Sequence, residues 1–273
     1  MAILSLQPVA SLDPPELSPY RTLRLEHQHW ANRIFVAEGE KVVRRLLASD
    51  HEVLSVLLPE KWFHTLRPLL EQRPEPVRVY TADKKLLERL TGFSMYQGLL
   101  AVARMPPPLP LEVAWQRSTP PRLWVAVDGL TNAENLGALV RNCAAFKVQA
   151  LLVGETSSSP YLRRAVRSSM GTILRLPVVE THDLVAALRR SRGLGLRCIA
   201  AHPHTRHCSV TQTNLQGDCC LVFGSEGEGL STAVREACDE SVAIPMPPAV
   251  DSLNVASAAA VFLYEANRQR ERS

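Results

Sequence analysis

The 273-residue sequence predicts an α/β protein with two domains, and three observations lead to this prediction. Short runs of aliphatic and β-branched residues alternate with amphipathic helical patterns, which is typical of sheets covered by helices. A stretch at residues 105–122 interrupts this alternation and contains six prolines. The apolar runs after that stretch are longer than those before it. We therefore expect a small first domain at residues 1–105 and a larger second domain at residues 123–273.

The first domain is predicted to be a small α/β unit in which strands and helices alternate. Its predicted strands are residues 53–58, 77–80 and 99–103, and its predicted helices are residues 40–48, 65–71 and 84–90. In the proline-rich stretch, the proline rings restrict the backbone and remove N–H donors. Residues 106–122 are therefore predicted to be a linker without regular helix or central strand.

In the second domain the strands are continuous apolar runs, which indicates parallel strands buried on both faces. The predicted strands are residues 123–128, 150–153, 197–201, 219–223 and 242–244, and the predicted helices are residues 134–146, 161–168, 183–190, 232–238 and 253–268. The last helix is apolar almost all round for three turns, which predicts burial on more than one side. A homodimer interface is our preferred explanation, and a deep position within the chain is the alternative.

The composition limits the classes of protein to consider. A net charge of +4 and a pI near 8.8 suit a polyanionic partner but are weaker than the charge of an obligate nucleic-acid binder. Six cysteines without a CxxC pair are expected to be reduced core residues. The sequence has no targeting pattern and no apolar run of membrane length, so we expect a soluble cytoplasmic protein.

Three segments place polar or glycine residues where a strand of the second domain should end, which is where parallel α/β sheets bind ligands. The first runs from Asp128 into a predicted helix that carries Asn135 and Arg141. Their spacing is nearly two helical turns, which long side chains can bridge to reach one ligand. The alternative is a helix capped by Thr131 or Asn132, with Arg141 as a solvated charge.

The second segment is a glycine-rich turn after a buried strand, and its glycines at 224, 227 and 229 allow a ligand to approach the backbone closely. It lacks the lysine of a P-loop, and Glu226 and Glu228 would repel a triphosphate. It does not match the GxGxxG of a dinucleotide fold either. We expect a loop that contacts a neutral or cationic cofactor through its backbone. The alternative is a tight turn in which Ser225 or Glu226 caps a helix.

The third segment, residues 244–254, combines a strand end, a stiff proline turn and the triplet Ser252-Leu253-Asn254 before an alanine-rich helix. Such a triplet is typical of a helix cap, and a capping residue can also belong to a functional site. All three segments thus lie where strands are predicted to end.

Taken in order, N-x-G-x-x-x-R, G-x-E-x-x-G-L and I-P-M followed by S-L-N resemble the three motifs of the SpoU (TrmH-type) RNA ribose methyltransferases. The resemblance covers residues 125–266. It implies a trefoil-knotted α/β domain with a parallel sheet, an obligate homodimer, and S-adenosylmethionine bound in a bent form. Residues 35–41 and 97–102 are similar to the N-terminal substrate-binding domain of many family members, which is related to a ribosomal-protein RNA-binding fold.

The family pattern implies roles for individual positions. It places five polar residues in the catalytic pocket: Asn135, Arg141, Glu226, Ser252 and Asn254. Around the cofactor it places Gly224, Ile244 and Leu253. The chain departs from the pattern at Pro248, where glycine is usual, and at Ala256, where a small hydroxyl residue is common. The first departure puts the shape of the cofactor loop in question.

Methyl transfer to a ribose 2′-hydroxyl requires that the hydroxyl be activated. Because a guanidinium stays protonated, we expect Arg141 to orient the ribose-phosphate and to stabilise the developing alkoxide rather than to act as a base. Asn135 and Asn254 suit ribose hydroxyls, and Ser252 suits a neighbouring group. Glu226 has two open roles, contact with the substrate or anchoring of its own glycine turn.

Two further clusters have alternative interpretations. Arg163, Arg164 and Arg167 form a basic stripe that is expected to contact RNA phosphates, and the alternative is a solvated helix face. Residues 202–208 contain three histidines and a cysteine. No standard zinc spacing accompanies these residues, so we expect a loop and no metal.

The sequence therefore predicts S-adenosylmethionine-dependent methylation of a ribose 2′-hydroxyl in structured RNA. Ribosomal RNA is favoured over transfer RNA because the chain has a separate first domain. One alternative is a knotted RNA-binding assembly factor without catalysis, which the five polar pocket positions argue against. The other is methylation of a base nitrogen, which would need a carboxylate or similar base.

Overall fold

The computed structural model describes residues 4–23, 25–91, 98–203, 205 and 208–271, so the predicted family match at Gln97 lies outside the described residues. The chain divides into two compact units. The first comprises Met1–Pro106 together with Tyr161–Arg175, and the second comprises Pro107–Pro160 together with Leu176–Ser273. This division differs from the predicted boundaries because a segment from within the second half belongs to the first unit.

The first unit is built on a five-stranded sheet with neighbouring helices. Its elements up to Arg104 are β1 (Leu4–Pro8), α1 (Ser18–Arg21), α2 (Glu26–Ala31), β2 (Ile34–Glu38), α3 (Glu40–Leu47), β3 (Val53–Leu58), α4 (Glu60–Glu71), β4 (Val77–Thr81), α5 (Lys84–Thr91) and β5 (Leu100–Arg104). The strand order is β1-β4-β3-β5-β2. Strands β1, β4 and β3 pair in parallel, whereas β5 runs antiparallel to both of its neighbours.

The rest of the chain adds the elements of a second sheet. They are α6 (Leu111–Arg117), β6 (Leu123–Val127), α7 (Ala133–Ala145), β7 (Ala150–Val153), α8 (Arg163–Ser168), β8 (Val178–Glu180), α9 (Leu184–Gly193), β9 (Arg197–Ala201), β10 (Cys219–Phe223), α10 (Thr232–Ala237), β11 (Glu240–Val242) and α11 (Val255–Arg270). The strand order is β11-β9-β10-β6-β7-β8, and each pairing is parallel. The predicted parallel sheet is confirmed.

Every residue of β6, β7 and β10 is buried, as expected for strands covered on both faces. Strands β6 and β10 are neighbours and end in register, with Val127 opposite Phe223. The first and second sequence segments therefore leave the sheet side by side at its carboxyl edge.

The prediction that residues 106–122 contain no regular helix is wrong, because α6 lies within them. The prolines flank this helix, and Pro110 occupies its N-cap, where a missing N–H has little cost. Ala114 of α6 is buried in the core of the second unit. The Ser118 hydroxyl, just after the helix, accepts a hydrogen bond from the Trp124 indole N–H at 3.0 Å.

The helix α8 packs on β2, and this contact places the segment Tyr161–Arg175 in the first unit. The rings of Tyr161 and Phe35 are 5.6 Å apart. Arg45 donates a hydrogen bond to the Met170 carbonyl at 2.5 Å. Apolar and polar contacts thus both attach the segment to the small domain.

The C-terminal helix α11 packs on α7 and on β10 of its own unit. Phe262 and Phe223 make an edge-to-face contact at 5.7 Å, and the Asn142 side chain donates to the Ala256 carbonyl at 2.6 Å. Tyr264 is nevertheless 59% exposed. Burial within the chain therefore accounts for one face of the helix, and the homodimer interface stays a prediction.

The six cysteines form no disulfide in the structure; four of them are buried, and Cys208 and Cys238 are half-buried. Burial raises the pKa of Cys219 to about 11 and that of Cys238 to about 12, so both thiols stay protonated near neutral pH. Within the described ranges, no helix is both long and apolar enough to cross a membrane.

Candidate active site

Asp128 leaves β6 at the carboxyl edge of the second sheet and is buried. Its backbone N–H donates to the Phe223 carbonyl at 2.9 Å, which extends the pairing of β6 with β10 by one residue. Its carboxylate accepts a hydrogen bond from the Ser231 N–H at 2.8 Å. Asp128 thereby connects the end of β6 to the N-cap of α10, just after the glycine turn.

The glycine turn closes on itself through two backbone hydrogen bonds. Ser225 and Gly229 each donate to the other's carbonyl at 3.1 Å, and Gly229 has a φ of +70°. A Cβ on Gly224 would lie 2.1 Å from the Gly229 carbonyl carbon and 2.3 Å from the Leu230 nitrogen. Position 224 therefore has to be glycine for the turn to fold this tightly.

A hydrogen-bonded cluster of three polar side chains joins all three sequence segments. The Asn135 side-chain amide donates to Glu226, and the Asn254 amide donates to the Asn135 carbonyl oxygen at 3.1 Å. The Asn254 amide nitrogen is also 3.5 Å from the Glu226 carboxylate. The structure thus brings together three of the five predicted catalytic residues from positions far apart in the sequence.

Helix capping determines which way these amides point. The Asn254 side-chain oxygen accepts the Ala256 N–H at 3.0 Å and so caps α11, which leaves its amide N–H groups to face Asn135. Asn135 must then present its oxygen to Asn254 and its amide N–H groups to the Glu226 carboxylate. Asn254 therefore has the expected double position, in a cap and in the cluster.

The proposed capping alternatives have different outcomes. Asn132 caps α7, since its side-chain oxygen accepts the backbone N–H groups of residues 134 and 135 at 2.9 and 3.1 Å. At the start of α10 the capping side chain is Ser231, and neither Ser225 nor Glu226 occupies this position. Glu226 instead contacts Asn135 and Asn254, so its role is not limited to its own turn.

Arg141 and Ser252 are not hydrogen-bonded into the cluster. Arg141 lies on α7 nearly two turns after Asn135, with an exposed side chain that makes no hydrogen bond or ion pair with any described residue. Ser252 lies in the loop before α11 and is exposed. The unpaired Arg141 guanidinium is available to bind an anion.

A cavity of about 470 Å³ lies beside the cluster, between the glycine turn and the start of α11. The three predicted cofactor residues line it, and they are Gly224, Ile244 and Leu253. Glu226 and Ser252 also line it. Its volume falls in the range of small-molecule sites, and the glycines of the turn in its lining have no side chains to keep a ligand from the backbone.

Sequence analysis did not single out two acidic residues at this edge. Asp251 lines the cavity immediately before the Ser-Leu-Asn triplet, and Asp128 holds the end of the glycine turn. Asp128 could have been found from the sequence, because it directly follows an apolar strand and a buried acid requires a partner. The two departures from the family pattern lie apart from the cavity lining: Pro248 is exposed, whereas Ala256 is buried.

The predicted RNA-contact arginines lie on α8 in the first unit. The side chain of Arg163 is 15% exposed and pairs with the buried Glu38, and Arg167 lies 3.3 Å from the same carboxylate. Arg164 is exposed. Contact of these residues with RNA stays a prediction, and Arg163 has a structural partner already.

The histidine-rich segment at residues 202–208 is described only in part, since residues 204, 206 and 207 lie outside the described residues. Across the part of the chain that the structure describes, no group of three His, Cys, Asp or Glu residues is arranged to hold a metal ion. His202 itself lines the cavity and lies 3.3 Å from the Arg235 guanidinium.

We expect Asp128→Ala to destabilise the protein by about 2 kcal/mol, because the Ser231 N–H loses a charge-assisted hydrogen bond. Asp128→Asn keeps an acceptor oxygen and should cost less than about 1 kcal/mol. Urea unfolding of both variants measures the difference. Equal stability of the two variants would show that the bond to Ser231 does not hold the turn.

A parallel sheet with a glycine turn, a cavity and an asparagine–glutamate cluster at its carboxyl edge defines an α/β enzyme domain that binds a small cofactor. The sequence profile of the SpoU rRNA methylase family matches residues 122–264. The chain belongs to this family. Membership confirms the predictions of an RNA methyltransferase and of S-adenosylmethionine as its cofactor.

Relatives and solved structures agree with this assignment. A Mycobacterium bovis protein named as a tRNA/rRNA methyltransferase is 34% identical over 97% of this chain and 93% of its own length. The SpoU methyltransferase AviRb of Streptomyces viridochromogenes, in complex with AdoMet, is 26% identical, with a TM-score of 0.79 over 93% of this chain and 97% of its own. An RNA 2′-O ribose methyltransferase is 28% identical, with a TM-score of 0.79 over 99% and 100% of the two chains.

Proposed function

We propose that this enzyme transfers the methyl group of S-adenosylmethionine to a ribose 2′-hydroxyl of structured RNA, and that its substrate is ribosomal RNA. The observation that carries the proposal is the cluster of Asn135, Glu226 and Asn254 beside the cavity, with the unpaired Arg141 on the same helix as Asn135. The cluster supplies two neutral amides and one carboxylate, and Arg141 adds a cation outside it. Amide donors suit ribose hydroxyls, and a guanidinium suits phosphate.

The cavity fits the cofactor by its size and lining. Gly224, Ile244 and Leu253 would hold S-adenosylmethionine, with backbone groups exposed at the glycine and apolar side chains at the other two positions. When bound, this cofactor supplies an electrophilic methyl group on a sulfonium. The acids Glu226, Glu228 and Asp251 in the lining are compatible with a ligand that carries positive charge.

The chain's own residues orient and activate the hydroxyl in this proposal. The Asn135 amide has one N–H committed to Glu226 and one remaining to hold a ribose oxygen, whereas the Asn254 amide contacts both Asn135 and Glu226. Arg141 binds the adjoining phosphate and stabilises the alkoxide, while a phosphate oxygen of the RNA or a water molecule takes the hydroxyl proton. Glu226 positions the asparagines rather than taking the proton.

The finer parts of the proposal have separate support. Ribosomal RNA is favoured by the small N-terminal domain, which offers a second surface for a folded substrate. We further propose the trefoil knot and a homodimer through the knotted domain, supported by the similarity to SpoU structures and by the exposed Val261 and Tyr264 on α11. The alternative of a binding protein without catalysis is disfavoured because the polar residues of the three sequence segments converge at a cavity.

Arg141→Ala is expected to lower the rate of methyl transfer about 100-fold to 1,000-fold, the range for loss of one positioned charge donor. Cofactor affinity should stay within about twofold, since Arg141 is absent from the cavity lining. Methyl transfer to total RNA and calorimetric titration with S-adenosylmethionine measure the two quantities.

Arg190→Ala is the matched control, because Arg190 is an exposed helix arginine of the same unit that pairs with Glu112 on the surface. It should leave both quantities unchanged. An Arg141→Ala enzyme that keeps most of its activity would remove Arg141 from the mechanism. Mass-spectrometric mapping of ribose methylation in total RNA, with and without this protein, tests the function as a whole, and an unchanged map would contradict it.

A further inference from the structure

The small domain exposes one aromatic ring next to a cation. Trp30 on α2 is 41% exposed, whereas Trp124 in the second unit is fully buried. The Arg33 guanidinium lies over the Trp30 ring, with its Cζ atom 5.3 Å from the ring centroid. This distance is within the range of a cation–π contact, so the pair combines an exposed aromatic ring with a positive charge held over it.

Arg33 is held at both its backbone and its side chain. Its φ is +52°, an uncommon conformation for a residue with a side chain, and its carbonyl accepts the Met105 N–H at 2.8 Å. Its guanidinium donates to the Pro106 carbonyl at 2.6 Å. The cation is therefore fixed before any ligand binds, which lowers the entropy cost of recognition.

The surrounding sequence has a net positive charge. Residues 21–33 contain three arginines and one glutamate, and Arg21 is exposed. An aromatic ring with fixed and surrounding cations complements a ligand that has both π faces and phosphates. Single-stranded nucleic acid has this combination, whereas the bases of a duplex are stacked on one another and closed to such contact.

We propose that Trp30 and Arg33 form a stacking site for an unpaired nucleobase of the RNA substrate. The proposal rests on the proposed function only in taking RNA as the substrate. Trp30 supplies the face on which the base stacks, and Arg33 contacts the adjoining phosphate. The small domain then binds unpaired nucleotides of the RNA, separately from the methyl-transfer site.

Binding of labelled oligoadenylate of about 12 nucleotides, measured by fluorescence anisotropy on the whole protein, tests this site. We expect Trp30→Ala to weaken binding about tenfold, the usual effect of losing one stacked base. Trp30→Phe keeps an aromatic face and should bind within about threefold of the natural protein. Leu6→Ala is the matched control, because Leu6 is an equally exposed apolar residue of the same domain, and it should change nothing.

A second variant keeps the test decisive if Trp30→Ala fails to fold. Arg33→Asn removes the guanidinium, and asparagine tolerates the positive φ, so we expect about threefold weaker binding. Oligoadenylate affinity that is unchanged in the variants that fold would overturn the proposal. Equal loss of affinity for a duplex of the same length would also overturn it, because stacking on a free base would not explain that result.

The failure of this site and the failure of the proposed function are distinguishable. If Trp30→Ala weakens oligoadenylate binding but the natural protein does not methylate ribose, only the proposed function is contradicted. A protein that methylates ribose with oligoadenylate affinity independent of Trp30 contradicts only the stacking site. Titration with S-adenosylmethionine should give the same affinity for the natural protein and each Trp30 variant.

Discussion

Gly224→Ala should lose cofactor binding while the rest of the domain stays folded. The added methyl group would meet backbone atoms of Gly229 and Leu230 within 2.3 Å, and backbone atoms cannot rotate away as a side chain can. The turn would have to open, which breaks the two hydrogen bonds between Ser225 and Gly229. Over-packing of this kind costs about 3 kcal/mol, and that cost corresponds to about 100-fold weaker binding of S-adenosylmethionine.

Gly217→Ala is the matched control in the same unit. A Cβ at position 217 has no atom within 4 Å, the residue has no positive φ, and it does not line the cavity, so the substitution fits without rearrangement. Calorimetric titration should give an affinity close to that of the natural protein, and thermal unfolding should show both variants folded. Gly224→Ala with unaltered cofactor affinity would place the cofactor away from this turn.

Removal of the small domain should leave residues 161–175 unpacked. In a fragment of residues 107–273, this segment loses β2 and α3, which are the elements that α8 and the turn after it contact. Tyr161, Val166 and Ile173 are buried in the whole protein and would become exposed. Re-exposing three such side chains costs about 5 kcal/mol, which is as large as the stability of many domains.

Limited digestion with trypsin measures this effect at a defined place. The fragment should be cut after the arginines of α8 about 100-fold faster than the whole protein, since unpacked segments are the preferred sites of cleavage. The whole protein under the same conditions is the control, and cleavage products identify the site by mass. A fragment that resists cleavage in this segment would show that the second unit holds α8 without the small domain.

The parallel sheet could be predicted because its strands are continuous apolar runs. Strands β7, β9 and β10 have the predicted bounds, as expected when burial on both faces determines the residue types. β1 was missed because it is an edge strand with an exposed Leu6, so it lacks a clear apolar run. α6 was missed because prolines that flank a short helix look the same in sequence as prolines that prevent one.

The candidate site could be predicted where strand topology brings segments together. The expectation that ligands bind where parallel strands end selected the segments that carry Asn135, Glu226 and Asn254. Asn135 and Glu226 meet because β6 and β10 are neighbours, and this adjacency could not be predicted because three strands lie between them in the sequence. The surroundings of Arg163 could not be predicted, because its partner Glu38 lies 125 residues earlier in the chain. A charge pattern on a helix identifies charged residues but not their distant partners.

The placement of α8 also determines when the small domain can be completed during synthesis. Domains usually fold from the N-terminus as they leave the ribosome. Here β2 lacks the helix α8 until residue 168 has emerged, and by then β6 and β7 have already been made. The nascent chain therefore finishes its first domain only while it is assembling its second.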